Sequence, residues 1–306
     1  MNDWAPRPRL SAKGFKAHGL GNDYLVFESG EDWTASPAAV RRVCHRTEGV
    51  GSDGIVAMLW LERSGSEAEV GLRMFNPDGG EFERSGNGLR VLAAHVVRHH
   101  PEIMRIRAHV GGDEVAMEVH SIRRATYDVS IDMGRASVGA SAVELDEEAL
   151  AADLPELEIV PVSVGNPHLV VVGENGRPIQ LTEAALHRIG PRLTAHPALG
   201  AGANVQLARA NEGGLAHVLI WERGVGPTTA SGTSACAVAV ACVSTGRLEA
   251  GAIEVVAPGG SLSVTVSSDL DVVLRGPVEE IYEVTLTSAL IGTLRSDPSE
   301  EEEARE

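Results

Sequence analysis

ERSGNGLRVLAAHVV, from Glu83 to Val97, and TASGTSACAVAVACV, from Thr229 to Val243, follow one pattern. Each stretch contains a Ser-Gly step, a small polar residue and then an apolar run, which predicts a helix beginning just after the serine. The two serines, Ser85 and Ser231, lie 146 positions apart, which is about the length of one domain. We therefore predict a duplicated domain with one central helix in each half.

The residues that precede the two serines strengthen this prediction. The apolar pattern GLRMFN ends at Asn76 and the pattern HVLIWE ends at Glu222, each nine residues before its serine. Many other stretches alternate or run apolar like short strands, among them TYDVSIDM, ANVQLARA and LSVTVSS. Further helices are expected at 36–47, where a serine cap precedes a proline, and at 181–193. The predicted fold class is α+β.

Composition narrows the range of functions. The chain has 306 residues, 43% of them hydrophobic, and a formal charge of −17, so we expect a globular protein that binds neither nucleic acid nor anionic membranes. The N-terminus lacks an apolar signal core, and no stretch approaches the ~20 apolar residues of a membrane span, so a cytoplasmic location is expected. The acidic tail at 297–306 is expected to be disordered.

Cysteines and lysines are few. The three cysteines, Cys44, Cys236 and Cys242, form no Cys-x-x-Cys pair, which argues against a disulfide framework and a thiolate zinc site, and we expect buried thiols instead. The two lysines, Lys13 and Lys16, both lie near the N-terminus. Pyridoxal phosphate, which needs a lysine for its Schiff base, is therefore not the expected cofactor.

Two further motifs do not predict the binding sites that they superficially suggest. GVGSDG, at 49–54, fits the dinucleotide pattern G-x-G-x-x-G, but a predicted helix precedes it and a predicted strand follows it, the reverse of the order that this motif requires. The neighbouring pair His99 and His100 lacks spaced acidic or histidine partners, so no metal site is expected there.

The Ser-Gly helix starts are candidate anion sites. The first turn of a helix has unpaired N–H groups and a partial positive charge, so a carboxylate can bind there without a basic side chain. Gly86 and Gly232 allow close approach of the backbone, and Asn87 and Thr233 add polar contacts. For either serine alone, a simple N-cap worth ~1 kcal/mol is the alternative. The matching contexts favour a site shared by the two halves.

Several motifs of the sequence, taken together, resemble those of a known family. HGLGNDYLVF, GVGSDGI, RMFNPDGGEFERSGNGLR, VSVGNPHLV, ANVQ and WERGVGPTTASGTSACAVA occur in the order found in diaminopimelate epimerases, over residues 15–294. The resemblance implies two pseudo-symmetric lobes, each a β-barrel-like antiparallel sheet around a central helix, with the site between them. It places one lobe at 1–134 plus 282–296 and the other at 135–281. It also implies a reaction without cofactor or metal, and it is compatible with a homodimer.

The resemblance assigns the proton-transferring residues. In the family, two cysteines face the α-carbon of the substrate from opposite sides, and the matching positions here are Ser85 and Ser231. A hydroxyl is a far weaker acid than a thiol, whose pKa is about 8.5, so each serine needs a partner that accepts its proton. His168 and Glu222, which the resemblance places near the α-carbon, are the candidates. The alternatives are a strand-edge histidine bonded to backbone and a surface salt bridge between Glu222 and Arg223.

Substrate contacts are also implied residue by residue. The residues that would hold the two ends of the amino-acid substrate are Asn22, Asn76, Asn166, Asn204, Glu222 and Arg223, with Arg223 gripping a distal carboxylate through two parallel hydrogen bonds. Gly86, Asn87, Gly232 and Thr233 would cradle the reacting carboxylate.

The expected function is the cofactor-independent epimerisation of LL-diaminopimelate to the meso form at the α-carbon, in lysine and cell-wall precursor biosynthesis. Three alternatives stay open because both cysteine positions hold serine. One is a same-fold isomerase or dehydratase that uses His168 or Glu222 as base on another acid, as in phenazine biosynthesis. The others are a binding protein without turnover and a protein altered at both positions so that it traps its substrate.

Overall fold

The computed structural model describes residues 6–82 and 85–295. The expected disordered tail at 297–306 lies outside the described residues. The chain divides into two compact units, one comprising Met1–Ile131 and Pro277–Glu306 and the other comprising Asp132–Gly276. The described residues contain nineteen strands and six α-helices.

The elements of the first part of the chain are, in order, β1 (Arg9–Gly19), β2 (Asn22–Ser29), β3 (Trp33–Thr34), α1 (Pro37–Cys44), β4 (Ile55–Ser64), β5 (Glu67–Phe75), β6 (Glu81–Phe82), α2 (Gly86–His99), β7 (Arg105–Val110), β8 (Asp113–Arg123) and β9 (Thr126–Arg135). The remaining elements are β10 (Ser137–Val138), a short 3₁₀ helix (Ala140–Ala142), α3 (Glu147–Asp153), β11 (Leu157–Ser163), β12 (Pro167–Glu174), β13 (Arg177–Pro178), α4 (Glu183–Thr194), β14 (Asn204–Asn211), β15 (Leu215–Glu222), β16 (Gly226–Thr228), α5 (Gly232–Ser244), β17 (Gly251–Ala257), β18 (Gly260–Val266), β19 (Asp271–Thr285) and α6 (Ser288–Arg295).

Eight strands of the first unit form a closed barrel. The hydrogen-bonded order is β1, β2, β4, β5, β7, β8, β9 and β19, and β19 returns to β1. Helix α2 contacts β1, β2, β4 and β8, and every residue from Gly86 to Val97 is buried. The α2 helix is therefore the core of this barrel.

The strands of the second unit pair in a corresponding order around their own helix. Its strands pair in the order β11, β12, β14, β15, β17, β18 and β19. Helix α5 contacts β11, β12, β14, β15, β17 and β18. The α5 sequence, GTSACAVAVACVS, has no charged residue, as expected of a helix that is buried on all sides. The predicted duplication and fold class are therefore confirmed.

The sheets differ from purely antiparallel ones. In the first unit β2 pairs with β4 and β5 with β7 in parallel, and in the second unit β12 pairs with β14 and β15 with β17 in parallel. Parallel neighbours need a long crossover connection, and the helices α1, α2, α4 and α5 lie in these four connections.

The expected positions of two further helices and the expected burial of the cysteines agree with the structure. The helices predicted at 36–47 and 181–193 are α1 and α4, and Ser36 caps α1 by accepting the Ala39 N–H. All three cysteines are buried, and burial raises the pKa of Cys44 to about 12 and that of Cys242 to about 11. Within the described ranges, no helix combines the length and apolar character required to cross a bilayer. No cluster of three or more metal-ligating side chains occurs in that same part of the chain.

Candidate functional site

The two serines occupy equivalent positions but use their hydroxyls differently. Ser85 and Ser231 are the N-cap residues of α2 and α5, both in extended backbone conformation. Oγ of Ser85 accepts the backbone N–H of Gly88 at 3.2 Å. The side chain of Ser231 makes no capping hydrogen bond, although the residue is 8% exposed. The Gly88 N–H and the positive end of α2 therefore favour negative charge on the Ser85 oxygen.

This difference predicts unequal effects of two alanine substitutions. We expect Ser85→Ala to lower the free energy of unfolding by about 1 kcal/mol because a capping bond is lost. Ser231→Ala should change it by no more than about 0.5 kcal/mol. Urea denaturation followed by circular dichroism measures both values. Equal losses in the two variants would contradict the assigned capping roles.

Two asparagines meet at the start of α2. Nδ2 of Asn87 donates to Oδ1 of Asn22 at 2.7 Å, and Nδ2 of Asn22 donates to Oδ2 of Asp53 at 3.0 Å. Nη2 of Arg90, a fully buried residue, donates to Oδ1 of Asn87. The first unit thus joins two predicted substrate-binding amides to two charged groups, Asp53 and Arg90, that were not predicted from the sequence.

Asn76, the third predicted asparagine of this unit, is exposed and follows β5. Its backbone N–H donates to the Gly80 carbonyl at 2.8 Å, and its carbonyl accepts the Gly79 N–H at 3.0 Å. Asn76 lies two residues after Met74, whose sulfur accepts the Ser85 N–H at 3.3 Å. The turn at Asn76 therefore begins close in sequence to a residue that touches the helix start.

A cluster of ion pairs supports these amides. Nη2 of Arg46 lies 2.8 Å from Oδ1 of Asp23 and 2.6 Å from Oδ1 of Asp53, and Nζ of Lys16 lies 2.7 Å from Oδ2 of Asp23. Burial of Asp23 opposes its ionisation, but the hydrogen bonds from Arg46 and Lys16 hold its pKa below the ordinary value. Lys16 also donates to the carbonyl of Gly51 at 2.6 Å. The GVGSDG loop, between α1 and β4, therefore supplies both a carbonyl and the Asp53 carboxylate to this cluster.

His168 is held at the centre of the second unit. It is fully buried, its Nδ1 lies 3.0 Å from Nε2 of Gln206, and its Nε2 lies 2.9 Å from Oδ1 of Asn166. The pKa of His168 is lowered to about 3, mainly by burial and also by the positive charge of Arg223, while the hydrogen bond with Gln206 acts in the opposite direction. The imidazole is neutral at pH 7, with Nδ1 accepting from Gln206 and the Nε2–H donating to Asn166. Its partners are side chains, not the backbone groups that the sequence alternative expected.

A neutral buried histidine predicts a specific dependence of stability on pH. The folded pKa of about 3 lies below the unfolded value of about 6.5, so this contribution is complete above pH 6.5 and is lost as the pH falls toward 3. Between pH 7 and pH 5 we expect the unmodified protein to lose about 2 kcal/mol more than His168→Gln. Urea titrations of both proteins at the two pH values measure the difference, since the other titrating groups are shared. Parallel pH profiles would show that His168 is not held neutral.

Arg223 and Asn204 form the second contact pair of this unit. Oδ1 of Asn204 accepts the backbone N–H of Arg223 at 2.9 Å. Nη1 of Arg223 donates to the carbonyls of Ala201 at 2.6 Å and Gly202 at 3.3 Å. A Cβ at Gly202, where φ is +70°, would lie 2.5 Å from the Thr194 carbonyl oxygen. Glycine at 202 therefore lets the chain turn tightly beneath an exposed guanidinium.

Glu222 ends β15, beside Arg223. Glu222 pairs with Gly226 across the β15–β16 hairpin, and its carbonyl accepts the Val225 N–H at 3.2 Å. The hairpin thus places a carboxylate and a guanidinium at consecutive positions where the strand ends.

Gln206 connects His168 to the first turn of α5. Its Nε2 also donates to Oγ of Ser234 at 3.0 Å, and both residues are fully buried. A Cβ at Gly232 would lie 2.9 Å from Cδ2 of Leu274, so this helix start packs closely against β19. Thr233, between Gly232 and Ser234, is half-buried. Gln206 was not among the predicted site residues, although a polar residue within the apolar strand pattern of ANVQ was a usable signal.

Comparisons with known proteins identify the family and the fold of the chain. A family model described as Diaminopimelate epimerase matches residues 14–139 and 160–281. A diaminopimelate epimerase from Desulforudis audaxviator is 37% identical over 286 residues, covering 88% of this chain and 96% of that protein. One from Desulfitobacterium hafniense is 32% identical, covering 90% and 98%. A solved structure of a probable proline racemase from Agrobacterium radiobacter has a TM-score of 0.63 at 14% identity, covering 94% and 93%, and shares the fold.

Proposed function

The chain belongs to the diaminopimelate epimerase family, and from this premise we propose that it inverts the α-carbon of diaminopimelate, converting the LL form to the meso form without a cofactor. The proposal places the reaction in the biosynthesis of lysine and cell-wall precursors. A diamino dicarboxylic acid offers two carboxylates and two ammonium groups. The groups of this chain that would bind them are the two helix starts, the amides of Asn22, Asn87, Asn166 and Asn204, and the guanidinium of Arg223.

The observation that carries this proposal is the way Arg223 is held. Its side chain is exposed at the end of a strand and is oriented by two backbone carbonyls, and its backbone N–H is bonded to Asn204. An arginine fixed in this way presents its remaining N–H donors as a planar group that matches a carboxylate. This fits the distal carboxylate of the proposed substrate.

Proton transfer at the α-carbon requires one group that removes the proton and one that returns it. Ser85 and Ser231 occupy the two family positions for these steps. Both ring nitrogens of His168 are engaged, with Nδ1 accepting from Gln206 and Nε2 bonded to Asn166, so the imidazole has no lone pair with which to take a serine proton. We therefore assign the proton acceptor to the carboxylate of Glu222 and assign His168 to orienting Asn166.

A second candidate is favoured by the serine pair itself. A reaction that needs only one base, such as elimination of water from a hydroxy acid or a proton-shifting isomerisation, can proceed with Glu222 alone. Such a reaction needs no second proton donor of thiol acidity. In this second reaction the same helix starts and the Arg223 guanidinium would bind the substrate, but the product would be different.

Deuterium exchange distinguishes the two. The protein is incubated with LL- or meso-diaminopimelate in heavy water, and the α-position is followed by proton NMR and chiral chromatography. Deuterium entry with inversion supports the epimerase, and Glu222→Gln should abolish it. Elimination products from a hydroxy acid would favour the second candidate. Absence of both binding and exchange for diaminopimelate would overturn the proposed substrate.

A further inference from the structure

We propose that Asp53 is a positioning residue for substrate binding: together with Arg46 it fixes the amide orientations of Asn22 and, through Asn22, of Asn87 at the start of α2. The proposal rests on the proposed function, because it takes these two amides as ligands of the substrate carboxylate.

The contacts form one continuous series of hydrogen bonds. Arg46 donates to Oδ1 of Asp53 at 2.6 Å, and Oδ2 of the same carboxylate accepts Nδ2 of Asn22 at 3.0 Å. Oδ1 of Asn22 accepts Nδ2 of Asn87 at 2.7 Å, and Oδ1 of Asn87 accepts Arg90. The series crosses from the loop after α1 to β2 and then to the first turn of α2, so Asp53 acts on Asn87 without touching it.

The charges at the two ends set the direction of every bond in the series. A carboxylate only accepts hydrogen bonds and a guanidinium only donates them. Asp53 therefore requires the NH₂ group of Asn22 to face it, which turns the Asn22 oxygen toward Asn87. Arg90 requires the oxygen of Asn87 to face it, which turns the Asn87 NH₂ group toward Asn22. Neither amide can rotate by half a turn without placing two donors or two acceptors together.

This fixed direction determines what the amides offer to a ligand. Each NH₂ group has two N–H bonds and uses one of them within the series. We assign the second N–H of each amide to the carboxylate of the substrate, which accepts hydrogen bonds. A reversed amide would present an acceptor to the same anion and would repel it.

The neighbouring aspartate has a different role. The side chain of Asp23 is 7% exposed and is paired with both Lys16 and Arg46, whereas that of Asp53 is 37% exposed. Of these two aspartates, Asp53 is the one whose carboxylate accepts from the Asn22 side chain, and the same oxygen also accepts the Asp23 backbone N–H at 3.1 Å. Loss of the Asp23 charge removes the carboxylate partner of the buried Lys16 ammonium and should lower stability. Loss of the Asp53 charge should mainly allow the side-chain amides of Asn22 and Asn87 to change their orientation.

The test compares Asp53→Asn with Asp23→Asn as a matched control, since each removes one carboxylate charge from Arg46. Affinity for meso-diaminopimelate is measured by isothermal titration calorimetry and Tm by differential scanning calorimetry. We expect Asp53→Asn to raise Kd at least tenfold, as for loss of a charge-assisted bond, with a small change in Tm. Asp23→Asn should lower Tm and leave Kd within about twofold. Lower Tm with unchanged Kd in Asp53→Asn would overturn the proposal.

Two further measurements keep the result interpretable. If Asp53→Asn does not fold, Asp53→Glu retains the charge, displaces the carboxylate by one methylene and should still raise Kd at least tenfold. Side-chain amide signals in ¹H–¹⁵N NMR report the series without a ligand. The Asn87 signal should shift in Asp53→Asn and not in Asp23→Asn, and an unshifted signal overturns the proposal. If the unmodified protein binds no diaminopimelate while the Asn87 signal shifts, the proposed substrate fails and the positioning series stands.

Discussion

The double variant Ser85→Cys/Ser231→Cys is expected to accelerate α-proton exchange on diaminopimelate by on the order of 10⁴-fold. A positioned acid or base contributes roughly 10²–10⁴-fold, and the double variant changes both proton-transferring positions. A thiol has a pKa near 8.5 that a helix N-terminus lowers further. A cysteine at either position can therefore be ionised at rest, whereas a serine must first give its proton to a partner.

The two single variants and a placement control complete this experiment. Each single cysteine should give much less than the double variant, because removal and return of the proton both need a group of suitable acidity. Ser244→Cys adds a thiol at the last residue of α5, far along the helix from its N-terminus, and should not change the rate. Two of the native cysteines are likewise expected to contribute nothing to the exchange rate, because burial raises the pKa of Cys44 to about 12 and of Cys242 to about 11. No gain in the double variant, combined with no binding, would contradict the substrate assignment.

Arg223→Ala is expected to weaken diaminopimelate binding by about 100-fold, and Arg223→Lys by an intermediate factor. Truncating one partner of a hydrogen-bonded charge pair costs roughly 2–5 kcal/mol. Lysine keeps the charge but loses the planar pair of donors that matches a carboxylate. Calorimetric titration measures both affinities.

A matched arginine controls for the change in net charge. Arg209 is an exposed arginine of the same unit, on β14, and Arg209→Ala should leave the affinity unchanged. A ligand with a single carboxylate should bind the unmodified protein and Arg223→Ala with similar affinity. If the two proteins differ as much for this ligand as for diaminopimelate, Arg223 does not bind the distal carboxylate.

Local signals in the sequence predicted the main architecture. The Ser-Gly step followed by an apolar run gave both central helices, because N-capping and helical apolar periodicity are properties of a few adjacent residues. Helices α3 and α6 were not predicted. Each is short, with seven residues in α3 and eight in α6, so the apolar pattern repeats over only about two turns.

The supporting polar network could not be predicted in the same way. Asp53 bonds Asn22 across 31 positions, and Gln206 bonds His168 across 38 positions. Such contacts depend on which strands become neighbours, which the local pattern does not specify. The neutral state of His168 also depends on its complete burial, which follows from the packing of several strands around α5 and not from the GNPH motif.

Closure of the first barrel by β19 has a consequence for biosynthesis. Lys13 pairs with Thr285 and His18 with Glu279, so the hydrogen bonds that complete this barrel join residues that are far apart in the sequence. The ribosome must synthesise the chain through β19 before this edge of β1 can pair with its partner strand, and until then the edge can pair with other nascent chains. Contacts of such long sequence separation also slow folding. Truncation of the chain just before Asp271 would leave this edge of β1 permanently unpaired, because β19, the last strand of both units, would be missing.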